Sequence, residues 1–116
     1  PETVLYTLND SNLPALCCVT GAFRKVRMGA AWWFNDTAEG IRRNLKTIAE
    51  YSALGNNFGM LTDSRSFASY VRFDFFRRIL ADYLGGLAEK GEYDLSAAKE
   101  IAKKISYYNV KEVLAL

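Results

Sequence analysis

The sequence predicts an α/β fold: three βα units and a closing helix, the pattern of the last three-eighths of a (β/α)8 barrel. Three observations predict it. Short β-prone runs alternate with amphipathic helical stretches, the strands so placed are apolar on both faces, and polar or aromatic residues gather where each strand ends. Strands buried on both faces belong to parallel sheets covered above and below, and consecutive strands joined by helices of this length imply right-handed crossovers.

The first strand is TVLYTL, residues 3–8, ending in the turn and cap residues Asn9, Asp10, Ser11 and Asn12. A helix follows, with Pro14 in its first turn and ALCCVTGAF along a mostly apolar surface. VRMGAAWW, residues 26–33, reads as the second strand. Asp36 and Glu39 then fit the N-cap and N3 positions of a capping box. Ile41, Leu45, Ile48 and Ala49 form the apolar stripe of that helix, and Gly55 is placed to end it. FGMLT, residues 58–62, is the third strand.

A long helix begins near Ser69, with Phe73, Phe76, Leu80, Tyr83 and Leu87 on one face; Gly85 and Gly86 loosen its end and Gly91 stops it. Ser96 opens the last helix, in which Ile101, Ile105 and Tyr108 share a face. Asp74, Arg77 and Arg78 read as a solvated helix surface. Residues 1–116 are expected to form part of one barrel domain rather than a complete independent one, because three parallel strands leave two unpaired edges and a closed barrel needs about 250 residues.

Composition narrows the function. The 116 residues carry 15 basic and 13 acidic side chains, a formal charge of +2, with no basic run longer than Arg42-Arg43 or Arg77-Arg78. That balance offers neither nucleic acid nor an anionic membrane a reason to bind. No apolar run approaches a membrane span, and Pro1-Glu2-Thr3 lacks the parts of a signal peptide. Cys17 and Cys18 are adjacent, where a bridge would be strained, so two reduced, packed thiols in a cytoplasmic protein are expected. The chain has no histidine, so it supplies neither a histidine ligand nor a histidine base.

In a parallel α/β sheet ligands bind at the C-terminal strand ends. There the sequence places Trp32, Trp33, Asn35 and Asp36, then Thr62-Asp63-Ser64-Arg65. Residues two apart on an extended segment share a side, so Asp63 and Arg65 would stand together as a carboxylate and a guanidinium. On local chemistry alone this is a solvated ion pair with Ser64 or Ser66 as a helix cap. Asn35 and Asp36 read as caps, and one of Trp32 and Trp33 as core.

WWFND and GMLTDSRS, separated by a helix of matching length within the run from Gly29 to Leu80, carry a resemblance. With TVLYTLND before and ISYYNVKEVL after, the chain resembles the C-terminal part of uronate isomerases, also called glucuronate isomerases, in the amidohydrolase superfamily. The resemblance implies aldose-ketose isomerisation of D-glucuronate to D-fructuronate and of D-galacturonate to D-tagaturonate in hexuronate catabolism.

It also implies Asp63 as the catalytic and metal-binding carboxylate and Arg65 as the catalytic and substrate-anchoring cation, with Trp32 and Trp33 toward the substrate. A divalent metal, Zn2+, would take its remaining ligands, a His-x-His pair, from outside this segment. The partners implied are the hexuronate and the N-terminal part of the barrel or other copies of the chain. One departure stands out: Phe73, in RFDFFRR, occupies the place of a histidine in many family members. The rival reading is a non-catalytic α/β fragment or small anion-binding module in which Arg65 and helix N-termini hold an anion.

Overall fold

A computed structural model describes residues 1–116. Its sheet is two parallel strands, β1 (Thr3–Leu5) and β2 (Val26–Met28), in the register Thr3 to Val26, Val4 to Arg27 and Leu5 to Met28. Thr3 N–H donates to Lys25 O at 2.9 Å and Gly29 N–H to Leu5 O at 2.8 Å, extending the ladder by one bond at each end. Both strands are shorter than their apolar runs suggest. Beyond Met28 the Tyr6 ring crosses the chain so closely that a Cβ on Gly29 would lie 2.2 Å from it.

The expected third strand does not form. Phe58–Thr62 is a partly buried irregular segment with no ladder, because Gly59 has φ +71, outside the extended region. Side-chain amides take the place of strand pairing. Asn57 Nδ2 donates to Met28 O and its Oδ1 accepts from Gly59 N–H, so a single asparagine links this segment to β2. The architecture is therefore α/β with a two-stranded parallel sheet and is mostly helical.

The helices are α1 (Leu13–Ala22), α2 (Ala38–Tyr51), α3 (Val71–Glu89), α4 (Leu95–Lys103) and α5 (Asn109–Leu114), with a π turn at Lys104–Tyr108. Pro14 sits in the first turn of α1, as expected. The cap of α2 is Thr37, whose Oγ1 accepts from Gly40 N–H; Asp36, one residue too early, is paired elsewhere. Gly40 has no room for a side chain, since its Cβ would lie 1.8 Å from Asn35 O. The helix stops at Tyr51, before Gly55, which belongs to a 3-10 turn at Leu54–Asn56.

Helix α3 runs unbroken through Gly85 and Gly86 to Glu89, with Lys90 as its C-cap and Gly91, at φ +73, turning the chain away just beyond. Asp94 rather than Ser96 caps α4, accepting from the backbone of Ser96 and Ala97 and from the Ser96 hydroxyl. The π turn spreads more residues over each turn, so Asn109 returns to the inner face while Tyr108 swings out and is 53% exposed. Asn109 Nδ2 then reaches Gly55 O and Asn57 O, both at 2.8 Å.

One hydrophobic cluster joins these pieces, centred on Cys17 of α1, Met28 of β2, Leu45 and Ile48 of α2, Leu80 of α3 and Ile105 of the π turn. Burying a Leu or Ile side chain stabilises by about 1.5–3 kcal/mol. The apolar stripes expected for α2 and α3 put Ile41, Leu45, Ile48, Phe76 and Leu80 into this core, alongside residues of α1, β2, α4 and the π turn. Cys18, unlike Cys17, faces solvent, and both are free. No helix is long and apolar enough to cross a membrane.

Candidate active site

Beyond their strands the three strand-like segments converge. β1 continues into Tyr6, β2 leads through buried Gly29–Ala31 to Trp32, and the irregular segment ends at Leu61, Thr62 and Asp63. Tyr6, Trp32, Leu61, Thr62 and Asp63, together with Phe73 of α3, line an open cavity of about 440 Å³. A second hollow of about 520 Å³ shares Trp32, Leu61, Thr62 and Asp63 and adds Trp33, Asp36 and Arg72. Asp63 lines both.

Asp63 is exposed and has φ +47, a left-handed conformation uncommon for a residue with a Cβ. Its Oδ2 accepts a long hydrogen bond, 3.4 Å, from the Trp32 indole Nε1. Arg65 is also exposed but lines neither cavity and makes no ion pair with Asp63. The left-handed turn at Asp63 breaks the extended geometry that would have put residues 63 and 65 on one side. Ser66 does cap the next turn, its Oγ accepting from Ala68 N–H.

Neither tryptophan is core. Trp32 is half-buried, its ring edge-on to Tyr6 and Trp33 with centroids 6.0 Å apart in each case; Trp33 is 61% exposed with φ +55. Asn35 donates to Leu8 O at 3.1 Å instead of capping, and Asp10 pairs with Arg43 of α2. These contacts tie the end of β1 to its neighbours. Tyr6 forms part of the cavity wall, and burial raises its phenol above the usual tyrosine value. It meets the cavity as a neutral hydroxyl able to donate or accept.

The residue that composition and spacing did not single out is Arg72. Its Nη1 donates to Thr62 O at 2.9 Å, and its Nη2 pairs with Asp36. An arginine at the start of an exposed helix face reads as solvated. The available signal was its place in the first turn of the long helix, at the same end as the strand termini.

No group of three or more His, Cys, Asp or Glu side chains is close enough to hold a metal ion. Asp36 is committed to Arg72, leaving Asp63 as one free carboxylate at the cavities. The chain's own residues do not make a complete cation site.

The glucuronate isomerase family model matches residues 1–114. The chain belongs to the glucuronate isomerase family. It is 46% identical to a uronate isomerase of Lachnospira eligens, covering 94% of this chain and 25% of that protein. With a uronate isomerase of Caldanaerobacter subterraneus the identity is 44%, covering 100% of this chain and 27% of the relative.

Among solved structures, the uronate isomerase of Thermotoga maritima superposes with a TM-score of 0.93 at 39% identity, over 97% of this chain and 25% of that one. The glucuronate isomerase of Caulobacter crescentus gives 0.90 at 27% identity, over 97% and 24%. The chain thus spans about a quarter of the length of the curated relatives it matches. As a glucuronate isomerase segment it has the irregular third segment and the Asp63 turn described above. The comparisons lend no support to the anion-binding module.

Proposed function

We propose that this glucuronate isomerase segment is the C-terminal part of a cytoplasmic aldose-ketose isomerase. It would act on D-glucuronate and D-galacturonate, giving D-fructuronate and D-tagaturonate, and would form the last part of a (β/α)8 barrel, with the irregular segment Phe58–Thr62 standing where the third of its strands was expected. The observation that carries the reading, beyond family membership, is Asp63: a free carboxylate lining both cavities where the strand-like segments end.

The reaction moves a hydrogen from C2 to C1 of the open-chain sugar and a proton from O2 to O1. A carboxylate within reach of both carbons serves such a transfer, being acceptor and then donor. Trp32 Nε1 restrains one oxygen of Asp63, leaving the other without a protein partner. The Tyr6 hydroxyl and the flat faces of Trp32 and Trp33 suit a ring-opened polyol that alternates C–H and O–H surface. Arg65, on the same loop and without an anionic partner, is the cation for the uronate carboxylate, because a guanidinium fork matches a carboxylate better than an ammonium does.

A divalent metal, Zn2+ in this reading, would take one oxygen ligand from Asp63 and the others from outside this segment, and would supply Lewis-acid polarisation. The test is isomerase turnover of D-glucuronate by the full-length polypeptide carrying this segment and by its Asp63→Asn variant. Loss of about 10²- to 10⁴-fold in kcat/KM is expected, with the circular-dichroism spectrum unchanged. Full activity in the variant would remove Asp63 from the chemistry.

A further inference from the structure

Arg72, the second residue of α3, connects three segments that are far apart in the chain. Its Nη1 donates to the carbonyl of Thr62, the residue immediately before Asp63, and its Nη2 pairs with Asp36 in the loop before α2. The Asp36 side chain is only 15% exposed while that of Arg72 is 36% exposed, so the carboxylate is largely shielded from water and the guanidinium is partly open to it. A guanidinium holds a carbonyl and a carboxylate at once because its donors diverge in a fixed plane; an ammonium has no such preset geometry.

The consequence falls on Asp63. With φ +47 it sits in neither a strand nor a helix, and its carboxylate has one protein hydrogen bond, the long one from Trp32. Holding the Thr62 carbonyl fixes the peptide plane between Thr62 and Asp63. That plane sets the direction in which the Asp63 side chain leaves the backbone.

We infer that Arg72 is a positioning residue for Asp63, acting through the Thr62 carbonyl and locked in place by Asp36. Its charge is neutralised by Asp36, and each terminal nitrogen already holds a protein oxygen, so its assigned role is positioning rather than anchoring the substrate, although it lines the hollow beside Trp32 and Trp33. The kinetic part of this inference rests on the isomerase reading of the site. The geometric part does not.

The experiment compares Arg72→Gln, Arg72→Lys, Asp36→Asn and the Gln/Asn double variant in the full-length polypeptide. For Arg72→Gln, kcat on D-glucuronate falls about 10- to 100-fold while KM stays within about twofold. Arg72→Lys and Asp36→Asn fall less, and the double variant is no worse than Arg72→Gln, because the pair acts as a unit. In crystal structures of the impaired variants the Asp63 carboxylate leaves the Trp32 indole. A raised KM with kcat intact would overturn the inference by making Arg72 a substrate anchor, as would unchanged kcat with Asp63 in place. If Arg72→Gln does not fold, Arg72→Lys and Asp36→Asn decide by the same readouts. If the unaltered protein turns over no uronate, the isomerase reading fails, and the position of Asp63 in the variant structures still decides for or against Arg72.

Discussion

Asp63 and Arg65 differ in what holds them. Asp63 is constrained by a left-handed backbone and an indole. Arg65 faces solvent and lines neither cavity. Arg65→Lys should therefore leave the fold alone and raise KM for D-glucuronate more than it lowers kcat; unchanged kcat/KM in a steady-state assay would deny it a role. The adjacent thiols give a second residue-level expectation. Burial, then the neighbouring Cys18, pushes the Cys17 thiol up to about 11, whereas Cys18 is exposed. Alkylation at pH 8 followed by peptide mapping should label Cys18 and spare Cys17 in the native protein. At this scale the position of Asp63 beside the cavities was legible as an acid closing an apolar run, whereas local chemistry alone read it as half of a solvated ion pair with Arg65, which does not form. Arg72 was not, since its role arises from a carbonyl and a carboxylate that only the fold brings to it.

Among the elements, helices were more legible than strands. The stripes Ile41, Leu45, Ile48 and Phe76, Leu80 repeat at helical spacing and are buried as expected. Phe58–Thr62 has strand composition, yet Gly59 turns it out of the extended region, a choice made by the Asn57 side chain and the packing of Ile105 above it. Caps were displaced by one or two residues, as happens when several candidates stand in a row. The cap of α4 is testable. The Ser96 hydroxyl, followed by the Ala97 and Ser96 amides, lowers the Asp94 carboxyl below its ordinary 3.8. Because the folded value is the lower one, the cap's stabilisation is present above that ordinary value and fades as pH falls through the folded value. Asp94→Ala should loosen the first turn of α4, visible as reduced amide-exchange protection of Ser96 and Ala97 at pH 7, and the difference from the unaltered protein should shrink as pH falls through the folded value.

At the scale of the whole molecule, a two-stranded sheet and five helices superpose on a quarter of the Thermotoga maritima enzyme with a TM-score of 0.93 at 39% identity. The backbone arrangement is thus shared although most residues differ between the two chains. A chimera in which this chain replaces the matching quarter of that enzyme should fold and keep isomerase activity. The same chimera carrying Asp63→Asn should not turn over D-glucuronate; an active Asn chimera would place the chemistry elsewhere. Helix order and the site end of the fold could be read from alternating patterns, whereas the number of strands could not, since hydrogen bonding between segments leaves no trace in composition.

The π turn at Lys104–Tyr108 carries one residue more than an α-helix would need over the same rise, and that surplus lets Asn109 reach Gly55 O and Asn57 O. Deleting the exposed Ser106 would leave helix propensity and hydrophobicity almost untouched. It would also turn Asn109 off its two carbonyls, and through Asn57 loosen the segment that ends in Asp63. At such an exposed position the damaging lesion is thus a change of length rather than of chemistry, one that scoring substitutions position by position would never detect.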